Sequence, residues 1–335
     1  MASDTTLRPL KIAILAMGGE GGGVLADWIV GAAENEGFFA QSTSVPGVAQ
    51  RTGATIYYVE VLPVPRQQGR QPVFGLMPTP GDVDVVIASE LMESARAVER
   101  GLVTVERTVL ITSCSRTYSL AEKAGMGDGR VDSEALREAG EQSARQYVAR
   151  DFARIARDNA SVISAALFGA LAASGTMPWP RRAFEAAIER GGVGVANSLK
   201  AFAAGHEAWA QAEPPAASPS APALDQRLAR LAERVERELP AAARVNTLHG
   251  LARTADYQGE AYAQEYLDHL CRAARWPAIA GGDGLLLGEL ARHLALWMSY
   301  EDPARVAELK LRRTRVERVH REVRAKPQQL VHIHE

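Results

Sequence analysis

Six consecutive residues near the start of the chain constrain its fold more than any other feature. They are Gly18, Gly19, Glu20, Gly21, Gly22 and Gly23. The apolar run 11–17 before them predicts a buried strand, and residues 24–30 after them predict a helix. Strand, glycine turn and helix in this order are typical of a doubly wound α/β domain. Because backbone N–H groups converge at the positive end of such a helix, the turn is a candidate site for a phosphate or carboxylate.

The spacing of these glycines does not identify a ligand. The dinucleotide fingerprint G-x-G-x-x-G fits poorly, because Val24 occupies the third glycine position and no acidic residue stands near position 40. The sequence contains no G-x-x-x-x-G-K-[ST], which excludes a P-loop. A turn that only lets the helix pack close to the strand, with no ligand of its own, stays open as an alternative.

A second candidate site lies in the loop before the next predicted strand, at 54–61. Its candidate binding residues are Ser44, Gln50, Arg51, Thr52 and Gly53. The guanidinium of Arg51 offers a fixed fork of donors that suits phosphate or carboxylate. We expect this loop and the glycine turn to form one site at the carboxyl end of the sheet, where doubly wound folds bind ligands. An arginine that only satisfies loop carbonyls is the alternative.

The glycine turn, its helix and the Q-R-x-G loop that leads into a strand resemble the gamma-type domain of the 2-oxoacid:ferredoxin oxidoreductase family. The family usually reads Q-R-G-G, and Thr52 in the third place is similar to the beta subunits of its indolepyruvate branch. Segments 81–90, 159–172 and 197–205 look like further motifs of the family. The resemblance therefore covers about residues 8–206.

The resemblance implies a subunit of a complex that oxidatively decarboxylates indolepyruvate or another arylpyruvate to an aryl-acetyl-coenzyme A, with reduction of ferredoxin. It also implies that a larger alpha subunit carries thiamine diphosphate, magnesium and the iron–sulfur clusters. This chain would then supply assembly and a contact on the coenzyme A side. We expect it to carry no catalytic residue and no metal ligand, and to bind none of these cofactors alone.

Two sequence observations agree with that division of labour. Gly127-Asp128-Gly129 followed by Asn159 imitates the thiamine diphosphate motif, but the polar stretch before it does not predict the buried strand that the motif needs. Cys114 and Cys271 are too few to hold an iron–sulfur cluster. Two other functions stay open, namely an autonomous oxidoreductase that binds a flavin or NAD(P), and a non-catalytic interaction module.

The order of predicted elements gives the architecture. Predicted strands at about 10–17, 54–62, 83–88 and 107–113 alternate with predicted helices at 23–37, 89–99 and 133–157. This alternation predicts a doubly wound, mainly parallel sheet. We expect a domain at 1–210, a Pro/Ala/Ser linker at 211–223 and a helical region at 224–335. The abrupt end at Glu335 leaves a truncated chain open.

Charge and hydropathy narrow the choice of partners. A net charge of −2 gives no general attraction to nucleic acid, and no run of 18 apolar residues predicts a membrane span. The first residues lack the pattern of a signal peptide, so we expect a cytoplasmic chain. The resemblance implies that it is part of a hetero-oligomer. The stretch 305–326 carries nine Lys or Arg residues and is either a solvated helix face or a contact for an acidic partner.

Overall fold

The computed structural model describes residues 8–46, 54–66, 71–118, 122, 129–211, 221–300, 302–322, 326 and 328–331. The chain divides into two compact units, one on each side of segment 212–220, which lies outside the described residues. The first unit contains a β-sheet with helices on both faces, and the second is helical in its described parts.

Six strands form one sheet in the first unit, in the order β2-β3-β1-β4-β5-β6. Their bounds are β1 Leu10–Met17, β2 Phe38–Pro46, β3 Ala54–Pro65, β4 Val85–Ala88, β5 Val109–Ser113 and β6 Gln146–Arg150. Strands β1, β4, β5 and β6 pair in parallel, whereas β3 is antiparallel to both of its neighbours, β1 and β2. The sheet is therefore mainly parallel, as the sequence predicts, with β3 alone running the other way.

Helices cover both faces of this sheet. They are α1 Gly22–Asn35, α2 Leu91–Glu99, α3 Ser133–Ser143, α4 Phe152–Asp158, α5 Ile163–Ala173, α6 Arg181–Arg190 and α7 Val195–Ala208. Side chains alternate between the faces along a strand, so Ile12 and Ile14 of β1 join one apolar core and Ala13 and Leu15 join the other. The first core contains α1 and α5, and the second contains residues of α2. The doubly wound arrangement is thus confirmed.

Helices α5 and α7 touch each other through their backbones. A methyl group added at Gly169 would lie 2.8 Å from the backbone nitrogen of His206 and 2.9 Å from the carbonyl carbon of Phe202. One added at Gly205 would lie 2.7 Å from the carbonyl carbon of Ala166. Both positions need glycine because any Cβ would collide with backbone atoms. Gly169 and Gly205, which the sequence analysis associates with family motifs, therefore serve this close helix contact.

The structure departs from the predicted elements at two places. The predicted helix 133–157 is in fact α3, β6 and α4, because residues 146–150 pair with β5, and Asp132 and Asp151 cap the two separate helices. Strand β2 was also not predicted, since residues 38–46 precede a strong loop signal and alternate only weakly between apolar and polar side chains.

The second unit is built from helices around its own core. After a short 3₁₀ turn at Gln226–Leu228 come α8 Ala229–Glu238, α9 Ala241–Gln258, α10 Glu260–Ala273, α11 Pro277–Ala280, α12 Leu285–Met298, α13 Pro303–Leu311 and α14 Arg313–Glu322. Leu228, Leu231 and Val235 are buried in this core, and Leu224 is partly buried against it. Asp302 caps α13 by accepting a hydrogen bond from the backbone nitrogen of Arg305 at 2.8 Å. None of the helices in the described residues has the length and hydropathy needed to cross a bilayer.

Part of the basic stretch in the second unit is engaged within that unit. Arg305 and Arg312 both form ion pairs with Asp256 of α9, at 2.6 and 3.0 Å. Each arginine also pairs with Glu308. These arginines therefore fasten α13 and its C-terminal end to α9, and this part of the stretch has a structural role.

Candidate functional site

The glycine turn connects β1 to α1 at the carboxyl edge of the parallel strands. Glu20 donates its backbone N–H to the Met17 carbonyl at 3.1 Å, which closes the turn. Gly19 and Gly21 have φ values of 86° and 77°, a backbone region that favours glycine. Gly21 is the N-cap of α1, and no side chain among the described residues caps this helix. The turn therefore presents the positive end of α1 without a side-chain acceptor.

Packing explains why several of these residues are glycine. A methyl group at Gly21 would collide with the hydroxyl of Ser164, and one at Gly22 would lie 2.6 Å from the Tyr57 ring. At Gly23 the Tyr57 ring would be 3.3 Å away. Gly19 has open space around its Cα, so only its positive φ selects glycine there. Most of the turn is thus shaped by contacts with Tyr57 of β3 and Ser164 of α5.

Ser164 holds the turn from the side of α5. Its buried hydroxyl lies 3.1 Å from the Glu20 carbonyl and 2.9 Å from the Gly21 carbonyl, to which it donates. This hydroxyl fixes the position of the α1 N-terminus relative to α5. Sequence reasoning missed Ser164, and the available signal was a serine inside the otherwise apolar helix Ile163–Ala173.

Glu20 turns its carboxylate toward the ends of β1 and β4. It accepts hydrogen bonds from the Ser89 hydroxyl and from the Met17 backbone nitrogen, the latter at 3.3 Å. Ser89 in turn donates its backbone N–H to the Leu15 carbonyl at 3.0 Å. The only acidic residue of the turn is therefore positioned by the sheet itself.

The strand register brings the two predicted loops to the same edge. Met17, the last residue of β1, pairs with Ala54, the first residue of β3, and Pro46 of β2 pairs with Thr55. Pro46 and Ala54, the described residues on either side of segment 47–53, therefore lie at the edge of the sheet that carries the glycine turn. Within segment 47–53, the predicted site residues Gln50, Arg51, Thr52 and Gly53 lie outside the described residues, and their role stays a prediction.

Ser44 is the remaining predicted site residue, and it lies on β2. It is exposed and pairs with Tyr57 of β3. Directly opposed residues of an antiparallel pair share a face of the sheet. Because the Tyr57 ring packs over Gly22 and Gly23, Ser44 stands on the same face as the start of α1. The structure thus connects Ser44, Tyr57 and the glycine turn.

A buried ionic cluster lies at the ends of the neighbouring strands β4 and β5. Glu90 caps α2 by accepting from the Glu93 backbone nitrogen at 3.0 Å, and Arg116 lies 3.7 Å from its carboxylate. Arg116 also pairs with Glu122. Burial raises the pKa of Glu90, and burial raises the pKa of Glu93 to about 7 despite the nearby Arg96. Sequence reasoning found Glu90 through a family motif but missed Arg116 and Glu122.

The described residues do not assemble a thiamine or metal site. Asn159 ends α4 and donates its side-chain amide to the Ile155 carbonyl at 2.9 Å, so it serves its own helix. Gly127 and Asp128 of the apparent thiamine motif lie outside the described residues. Across the described parts of the chain, no three or more His, Cys, Asp or Glu side chains are grouped as metal ligands.

Comparison with known protein families gives two matches. Residues 11–208 match the family described as pyruvate ferredoxin/flavodoxin oxidoreductase, and residues 246–335 match a family of unknown function, DUF6537. The first match covers more than half of the chain and includes the glycine turn and the whole sheet except the first residue of β1. No curated protein matches the chain.

Three solved structures are similar to this chain at low identity. The pyruvate oxidoreductase subunit PORC from Thermotoga maritima is 16% identical, with a TM-score of 0.43 over 60% of this chain and 96% of that one. The 2-oxoglutarate:ferredoxin oxidoreductase from Magnetococcus marinus was solved with 2-oxoglutarate, coenzyme A and succinyl-CoA. It is 16% identical, with a TM-score of 0.42 over 62% of this chain and 32% of that one. The gamma subunit of a keto/oxoacid ferredoxin oxidoreductase from Geobacter sulfurreducens is 18% identical, with a TM-score of 0.40 over 60% of this chain and 98% of that one.

Proposed function

The chain belongs to the pyruvate ferredoxin/flavodoxin oxidoreductase family, and on that premise we propose that it is a subunit of a 2-oxoacid:ferredoxin oxidoreductase complex. The proposed substrate is indolepyruvate or another arylpyruvate, which the complex converts to an aryl-acetyl-coenzyme A while it reduces ferredoxin. The Q-R-T-G sequence at 50–53 supports this substrate branch. We also propose the domain limits 1–210, 211–223 and 224–335.

A larger alpha subunit is the proposed carrier of thiamine diphosphate, magnesium and the iron–sulfur clusters. The side-chain amide of Asn159 is used within α4, which supports a thiamine site on another chain. This chain would then contribute to assembly and to the binding of coenzyme A, and it would supply no acid, base or nucleophile.

The strand register is the observation that carries the coenzyme A proposal. It brings the uncapped start of α1 and both ends of segment 47–53 to one edge of the sheet. A helix N-terminus carries a partial positive charge of about half an elementary charge, which favours phosphate. Arg51 would add a full charge and a fork of donors that suits a phosphate of coenzyme A. Ser44 would add a hydroxyl on the same face.

The first test is purification of the tagged chain from its own host without oxygen. We expect it to be recovered with a larger subunit that contains thiamine and iron, and the complex to prefer indolepyruvate or phenylpyruvate over pyruvate and 2-oxoglutarate. Recovery of the chain alone with a bound flavin or NAD(P) would favour an autonomous oxidoreductase. Recovery with a partner but without 2-oxoacid oxidation would favour an interaction module.

The second test addresses the coenzyme A contact. In the purified complex, Arg51→Ala should raise the KM for coenzyme A at least tenfold, while kcat at saturating coenzyme A stays within twofold. Arg154→Ala is the matched control, because Arg154 is 59% exposed on α4 and its ion pairs with Asp151 and Asp158 are local. An Arg51→Ala complex with the KM of the control would contradict the proposed contact.

A further inference from the structure

Strand β2 forms an unprotected edge of the sheet. Its nine residues contain no charged side chain, and no strand among the described residues pairs with its outer side. Soluble proteins usually blunt such edges with charges or short strands, because an open edge pairs readily with another strand. The opposite edge strand, β6, is protected in this way: it has five residues and ends at Arg150, whose guanidinium donates to the Ala208 carbonyl at 2.9 Å.

An exposed apolar segment lies beside the β2 edge. The Thr43 hydroxyl donates to the Leu76 carbonyl at 2.8 Å, and the Gly75 backbone nitrogen donates to Glu60 at 2.9 Å, so residues 73–77 lie against β2 and β3. Within this segment Val73, Leu76 and Met77 are 97%, 71% and 60% exposed. Clustered exposure of large apolar side chains marks an interaction surface.

The free part of the edge is complementary to itself. Arg66 donates to the Phe38 carbonyl at 2.8 Å, so the stretch available for pairing begins at Phe39. In an antiparallel pair of two β2 strands centred on Ser42, Ala40 faces Ser44, and Gln41 faces Thr43. Phe39 faces Val45 in the same pairing. Each pair is therefore apolar or uncharged, and no like charges oppose each other.

We propose that two copies of this chain associate through antiparallel pairing of their β2 strands about a twofold axis at Ser42. This pairing joins the sheets of the two copies into one continuous sheet. The 73–77 segments of both copies then lie on the same face of that sheet, on opposite sides of the twofold axis. Such an interface uses the same surface on both copies, and with β6 protected the described part of the chain has no second open strand for further growth. The association is therefore a closed dimer. This proposal does not depend on the proposed function.

Charge placed on the axis gives a direct test with the whole chain. We expect the unmodified chain to sediment as a dimer at micromolar concentration, and both Ser42→Lys and Ser42→Glu to raise the dimer dissociation constant at least tenfold. An equimolar mixture of the two variants should regain the dimer, because opposite charges then face each other. Gln146→Lys, which adds the same charge to the exposed start of β6, should leave the dimer unchanged.

Three results would overturn the proposal. The first is an unmodified chain that stays monomeric even at a concentration 100-fold above the micromolar range of the assay. The open β2 edge would then be a pairing site for a strand of another protein. The second is a dimer of Ser42→Lys as tight as that of the unmodified chain. The third is a mixture of the Lys and Glu variants that fails to associate, since a shared loss of folding would explain the separate losses.

Discussion

The contact between α5 and α7 predicts that one glycine in a helix is indispensable while another is replaceable. Gly169 lies in the interior of α5 and Gly31 in the interior of α1. Alanine at Gly169 would place a methyl group 2.8 Å from the His206 backbone nitrogen, whereas at Gly31 the nearest atom is an Arg190 guanidinium nitrogen at 3.9 Å. The two substitutions are chemically identical and differ only in the space around the new methyl group.

Two opposing contributions set the expected change in the free energy of unfolding. Alanine is intrinsically better than glycine in a helix interior by about 1 kcal/mol. At Gly169 the atom nearest to the added methyl would be the Phe202 carbonyl oxygen, so the helices would have to separate by roughly 1.5 Å to reach an ordinary contact of about 3.5 Å, and such overpacking costs about 3 kcal/mol. We therefore expect Gly169→Ala to lower the free energy of unfolding by about 2 kcal/mol and Gly31→Ala to raise it by about 1 kcal/mol.

Native-state hydrogen exchange measures these changes in the first unit alone. The slowest amides of the buried strands β4 and β5 report its global opening, whatever the stability of the second unit. The difference of about 3 kcal/mol between the variants corresponds to a ratio of roughly a hundredfold in their opening equilibria. Adding Gly205→Ala to Gly169→Ala should cost less than the sum of the single changes, because the helices are already apart. Equal protection in the Gly169→Ala and Gly31→Ala variants would refute the argument from backbone contact.

Two further predictions concern a buried carboxylate and a helix cap. Because burial raises the pKa of Glu93 from 4.5 to about 7, the folded state holds its proton more tightly, and the free energy of unfolding should fall as pH rises from about 4.5 to 7. Glu93→Gln should make the free energy of unfolding depend less on pH, as measured by urea unfolding at pH 5 to 8, and Glu90 should account for the dependence that remains. An unchanged pH dependence would show that Glu93 is not its source. Asp302→Ala should destabilise the start of α13 by about 1 kcal/mol, seen as faster exchange at Arg305 and Val306, whereas Asp302→Asn should not. If exchange at Arg305 and Val306 is as slow in the Asp302→Ala variant as in the Asp302→Asn variant, the cap is dispensable.

Elements with a strong local signal were predictable from the sequence, whereas those that depend on distant partners were not. The glycine turn and its flanking elements were recognised because apolar periodicity and glycine conformation act over neighbouring residues. Strand β6 was read as helix because its identity depends on pairing with β5, which the sequence does not display. Ser164 was missed for the same reason, since its acceptors at Glu20 and Gly21 lie more than 140 residues away in the chain.

The reversal of β3 changes how this edge of the sheet can vary. In an all-parallel sheet each strand contributes only its exit loop to the carboxyl edge, and every such loop must lead into a crossover helix. Here β3 starts at that edge, so Pro46 and Ala54, the described residues on either side of 47–53, both belong to paired strands. Doubling the length of such a loop costs only about 0.6 kcal/mol in closure entropy. A connection between such neighbouring residues can therefore change in length without moving any helix or shifting any strand.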